Sequence, residues 1–134
     1  MSTIHANSPL DALSRIETCA LLSGIDIPLV ALRAQVATAI GAVIHTARLA
    51  DGSRKVVEVS EVLPLEGGEY RVRSLRKWRT ASVSPDGKVV GTFQGGEIPS
   101  FAEEARLSGN WLADRLPESI VRGRAASPFA AGTR

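Results

Sequence analysis

The sequence predicts a small mixed domain of the α/β or α+β class, with two helices leading into an antiparallel hairpin or meander. Two observations carry this. Apolar residues recur at helical spacing as far as Gly41 and then switch to a period of two. Turn chemistry then recurs at Asp51-Gly52, Gly67-Gly68 and Pro85-Asp86-Gly87, close enough together for hairpins.

The elements follow in chain order. Residues 2–5 read as a short strand ending in His5. Ser8-Pro9-Leu10-Asp11 is a helix start: Ser8 can cap, Pro9 suits the first turn, and Asp11 complements the positive end of the dipole. Leu13, Ile16, Ala20 and Leu21 give that helix its apolar stripe, and Gly24 closes it. A second helix begins near Asp26-Ile27-Pro28, carries Leu29, Leu32, Val36 and Ile40, and ends at Gly41.

Strands are expected at 43–49, 54–62, 70–75, 78–83 and 88–93. In the second of these, Glu58 and Ser60 alternate with Val57 and Val59, which suggests one wet and one dry face. Gly95-Gly96 and Pro99 break the pattern. A short helix is expected from residue 100 or 101 to Leu107, and a helical turn around Trp111, Leu112 and Leu116. Residues 1–121 form the expected domain. The Gly, Ala, Ser, Pro and Arg of residues 122–134 predict a disordered tail.

Composition bounds the function. The chain has 134 residues, enough for one domain, and only 4% of them are aromatic, so the core must be aliphatic. Sixteen Lys and Arg against 14 Asp and Glu leave a net charge of +2, which gives no argument for a nucleic-acid partner. Cys19 is the only cysteine, so no internal disulfide forms and a reducing compartment fits. No apolar run approaches the roughly 20 residues that span a bilayer, and no signal peptide is visible. The expected location is cytoplasmic.

Motifs for standard chemistries are missing. A phosphate loop needs G-x-x-x-x-G-K-[ST], but Gly87-Lys88 is followed by Val89 and preceded, at the first glycine position, by Ser82. His5, His45 and Cys19 have no metal-ligand spacing, and no nucleophile elbow occurs.

His5 is the sharpest single residue. Next to a helix start it can reach an anion or a neighbouring subunit, although pattern alone favours a histidine bonded to its local turn. A basic cluster, Arg71, Arg73, Arg76, Lys77 and Arg79, interleaves with Tyr70 and Trp78. It can track a phosphate backbone. The reading favoured by Glu61, Glu66 and Glu69 nearby is a neutralised, solvated strand face.

Residues 2–18 resemble the histidine box and following helix of the secretion-ATPase superfamily, nearest the CpaF/TadA type that powers Flp (tight-adherence) pilus assembly. The resemblance runs on through Gly24 to Leu29, the hairpin Ile44 to Val56, and Val59-Ser60-Glu61-Val62. It ends in Gly91-Thr92-Phe93 and Ile98-Pro99-Ser100-Phe101, covering about residues 2–116. Two departures stand out: Leu10 replaces a basic residue, and residues 70–78 are more basic than usual.

The resemblance implies an α/β fold, the C-terminal part of a RecA-like P-loop ATPase domain. It implies a segment of a type II/IV secretion or pilus-assembly ATPase whose full-length form hydrolyses ATP with magnesium in a hexameric ring. The Walker A and Walker B motifs, which precede the histidine box in that family, are not in this sequence, so activity alone is not expected and no cofactor is expected for this chain alone. His5 maps onto the phosphate-sensing histidine. Arg15, Arg48 and Arg54 map onto basic positions at the subunit interface or in nucleotide coupling. Implied partners are other ATPase subunits and inner-membrane pilus or secretion platform proteins, with the chain peripheral to that membrane and nucleic acid not expected. The alternative is a stand-alone, non-catalytic module that docks on such an ATPase or on a pilus-assembly protein.

Overall fold

The computed structural model describes residues 1–102, 107 and 108. Helix α1 spans Pro9–Leu22 and α2 spans Leu29–Ala39. Four strands follow: β1 (Ala42–Arg48), β2 (Arg54–Glu66), β3 (Glu69–Val83) and β4 (Val89–Gln94). They form one sheet in the order β1-β2-β3-β4, every neighbour antiparallel.

The RecA-like α/β expectation is therefore overturned. Parallel neighbours need crossovers of a dozen or more residues, usually through a helix. Here the strands are joined by residues 49–53, 67–68 and 84–88, which allow only antiparallel return. Both helices precede the sheet and pack on it, an α+β arrangement.

Local chemistry explains the elements. Ser8 caps α1 with its side chain accepting from the Asp11 amide at 3.0 Å, and Pro9 occupies the first turn. α2 begins one residue after Pro28 and has no side-chain cap. Gly67 and Gly68 have φ of 61° and 82°, the left-handed conformation of a two-residue hairpin turn. Residues 2–5 form no strand, and the chain enters α1 without regular structure.

The two strands expected at 70–75 and 78–83 are one, β3. Its register shifts where Val59 faces Arg76 but Ser60 faces Ser74, leaving Leu75 as an extra residue, and again between Thr80 and Ser82. These bulges mimic a strand boundary in the sequence pattern because they break the period of two. β2 runs beyond its expected end to Glu66, passing Pro64 in a stretch where the ladder with β3 is irregular, the place a residue without an N–H is tolerated.

The core lies between the helices and the sheet. Leu13, Leu32, Val36, Val62 and Tyr70 are buried together, with Ile16, Val43 and Val72 packed against them. Leu13 is fully buried, which is worth about 2 kcal/mol of apolar transfer. Leu21 and Leu29, expected in the stripes, are 45% and 41% exposed; they lie in the last turn of α1 and at the first position of α2, away from the buried Leu13 and Leu32. No described helix is long and apolar enough to cross a membrane. Phe101 and Ala102 begin the expected closing helix. Residues 103–106, the turn at Trp111 and the tail at 122–134 lie outside the described residues.

Candidate functional site

The start of α1 and the segment before it form an open groove of about 440 Å³, lined by Ile4, His5, Asp11, Ser14, Arg15 and Cys19 among others. The structure thus brings His5 and Arg15 together. Asp11 organises them. Its Oδ2 accepts the Asn7 amide at 2.8 Å and the Arg15 Nε at 3.4 Å. The Asn7 hydrogen bond above all holds the Asp11 carboxyl below the usual range; desolvation, the next largest effect, opposes it, and the charge and hydrogen bond of Arg15 and then the charge of His5 add to the lowering. His5 itself is exposed and makes no hydrogen bond among the described residues, so the local-turn role favoured by sequence pattern has no partner here.

Arg48 and Arg54 lie elsewhere. They face each other across the β1–β2 ladder at the hairpin tip, and Arg48 Nε donates to the Gly52 carbonyl at 3.2 Å. No described contact links this pair to His5 or Arg15.

Two backbone donors before and within the first turn are already used, Asn7 N–H on Asp11 and Asp11 N–H on Ser8. The Asp11 carboxylate would repel phosphate, and no described cluster of His, Cys, Asp or Glu is set to hold a metal ion. What the groove presents is one exposed imidazole and one guanidinium, the latter bonded to Asp11.

Two polar clamps escaped sequence reasoning. Arg33 on α2 joins Glu17 on α1 at 2.9 Å, Glu69 on β3 at 2.7 Å and the Gly68 carbonyl at 3.1 Å. Its guanidinium also lies 5.9 Å from the centre of the Tyr70 ring. The Tyr70 hydroxyl is buried with no hydrogen-bond partner. Burial, then the nearby Glu17 carboxylate, pushes its pKa up, and Arg33 opposes them.

Glu61 is the second centre. It is 2% exposed. Its Oε2 accepts Arg73 Nε at 3.1 Å and Nη2 at 2.5 Å, and its Oε1 accepts the Ser100 amide at 2.9 Å and the Ser100 hydroxyl. Burial works against the charge, yet Ser100 and Arg73 outweigh it and hold the carboxyl below the usual glutamate range. Arg73 also reaches Glu97 at 3.4 Å, and Arg76 donates to the Gly95 carbonyl at 2.8 Å. Residues 95–100 are thereby strapped across the sheet by polar contacts. The only sequence signal for this was the coincidence of acids and arginines at alternate positions.

Apart from Arg79, the basic strand is accordingly engaged. Arg71 pairs with Glu66 at 2.9 Å, Arg73 with Glu61, and Lys77 with Glu58 at 3.1 Å. Glu61 and Glu66 neutralise it as expected, whereas Glu69 turns to Arg33.

Against known proteins, no family model matches the chain. Two proteins of Mycobacterium tuberculosis, from strains CDC 1551 / Oshkosh and ATCC 25618 / H37Rv, are each 34% identical to it over 76 residues. Both are named "Putative conjugal transfer protein". The match covers 57% of this chain and 20% of each relative, so the chain spans about a fifth of the proteins it resembles.

Proposed function

We propose that this chain is a non-catalytic docking segment of a conjugation- or secretion-type assembly, part of an ATPase of the pilus-assembly or type II/IV secretion class. The similarity of 34% over 76 residues to conjugal transfer proteins carries the reading. The groove supports it. His5 and Arg15 line the same groove beside the first turns of α1, an imidazole and a guanidinium that a phosphate bound mainly by another subunit would meet, with the Asp11 carboxylate already bonded to Asn7 and Arg15. The segment supplies a contact and a sensor, and the remaining nucleotide-binding groups come from the partner.

Gel filtration of the chain with the full-length conjugal transfer relative tests this. A stable complex is expected, weakened at least several-fold by His5→Ala, while isothermal titration of MgATP into the chain alone gives no saturable heat. Separate elution at about 50 μM of each protein, or micromolar ATP affinity of the chain alone, overturns it.

A further inference from the structure

The helices cover the end of the sheet that carries Val43, Val62 and Val72, and they leave the two hairpin tips at the other end open. Three arginines gather there from three adjacent strands. Arg48 and Arg54 are directly opposite each other on β1 and β2, so they share a face of the sheet. Lys55, next along β2, turns to the other face, its Nζ 4.9 Å from the Trp78 ring centre, and Arg79, the neighbour of Trp78 on β3, falls on the arginine face. Among the described residues none of the three arginines forms an ion pair.

The nearby acids are engaged. Asp51 accepts the Ser53 amide at 2.9 Å, the Ser53 hydroxyl at 2.6 Å and the Val89 amide at 2.8 Å. Glu58 pairs with Lys77 and Asp86 with Lys88. Like charges placed directly across a ladder are destabilising, so the Arg48–Arg54 pair is a standing cost to the hairpin that an anion would relieve. Arg48 is also held in place by its bond to the Gly52 carbonyl, which leaves its outer nitrogens free.

We propose that this open end of the sheet binds the phosphate backbone of nucleic acid without reading its sequence. Three strands span roughly 10 Å at the usual spacing, wider than one phosphate and suited to successive phosphates along a chain. Planar guanidinium forks match phosphate oxygens. Base stacking takes no part, because Trp78 is covered by Lys55 and lies so close over Gly91 that a Cβ there would stand 2.7 Å from its ring. Of the basic strand cluster only Arg79 takes part, and it pairs with no acid among the described residues, so the surface departs from the expectation that nucleic acid is not a partner.

Fluorescence anisotropy with a labelled 20-nucleotide oligo-dT tests it. With about three phosphate contacts, affinity falls roughly 20-fold between 50 and 200 mM salt, from a slope of about 0.7 per contact. Arg54→Ala and Arg79→Ala each weaken binding and lower that slope by about 0.7, Arg54→Lys restores it, and Arg71→Ala, at the far end of the sheet, leaves it unchanged. The proposal is overturned by no binding at 50 mM salt, by equal loss in Arg71→Ala, or by tighter binding to polyglutamate or phosphatidylserine vesicles than to the oligonucleotide.

Discussion

Replacing Glu61 with glutamine removes the charge that strap and sheet share while keeping the side chain's size. In the native protein its two oxygens accept four hydrogen bonds, two from Arg73 and two from Ser100. Charge-assisted bonds contribute about 1.5–3 kcal/mol each, and a buried group left unpaired costs a further 1–3 kcal/mol. Arg73 is 29% exposed, so water takes over part of its solvation and the lower figures apply. Glutamine keeps one oxygen for Ser100 and turns an N–H₂ toward Arg73. The net loss is about 2 kcal/mol, or roughly 7 °C in Tm for a chain of this length.

The damage is local as well as global. Amides of residues 95–100 exchange with solvent faster than those of β2, because the strap loses its central bond. The pH dependence has a definite sign. Glu61 has a depressed pKa in the folded state, so its contribution is present above the unfolded value of about 4.3 and is lost as pH falls through the lower folded value. Calorimetry between pH 7 and 3, with hydrogen exchange at neutral pH, reads both effects. A Glu61→Gln protein that melts within 2 °C of the native one, with the same acid sensitivity and unchanged exchange at 95–100, refutes the reasoning.

Other consequences follow from single contacts. Leu13→Ala opens a cavity in the centre of the core and costs about 3 kcal/mol, measured by urea denaturation. Tyr70→Phe removes a buried hydroxyl that lies near the Glu17 carboxylate without meeting hydrogen-bond geometry, so stability stays level or rises by up to about 1 kcal/mol in the same assay; a loss of more than about 1 kcal/mol shows that Glu17 bonds it in solution. Gly91→Ala places a Cβ 2.3 Å from the Arg79 carbonyl oxygen and against the Trp78 ring, so β4 must shift, and tryptophan emission reports the change. Asp51, with a folded pKa of about 2, loses its turn-fixing contribution as pH falls from about 4 toward 2, visible as earlier exchange of the Val89 amide.

The helices were legible because their signals are local. Ser8, Pro9 and the Leu13–Ile16 spacing act within a few residues, and the hairpin glycines Gly67 and Gly68 fix their own turn. Fold class was not legible in the same way. The short connections favoured antiparallel return, but the likeness of residues 2–18 to a secretion-ATPase motif pulled the assignment toward a parallel domain that these connections cannot build. The single length of β3 was hidden by its two bulges. His5 and Arg15 were both singled out from sequence, yet their meeting through Asp11 required the fold. The Arg33 clamp joins residues 17, 33 and 69, a separation no periodicity encodes. Glu61 looked like one acid among several until its burial and its bond to Ser100 were seen.

The central claim is that this segment docks on a conjugation or secretion subunit and touches its nucleotide through His5. The direct measurement is the affinity of the labelled chain for the full-length conjugal transfer relative, with and without MgATP. Binding at least about five-fold tighter with MgATP, a difference lost in His5→Ala, is the predicted result. Affinity that is the same with and without nucleotide, and the same in His5→Ala, contradicts it.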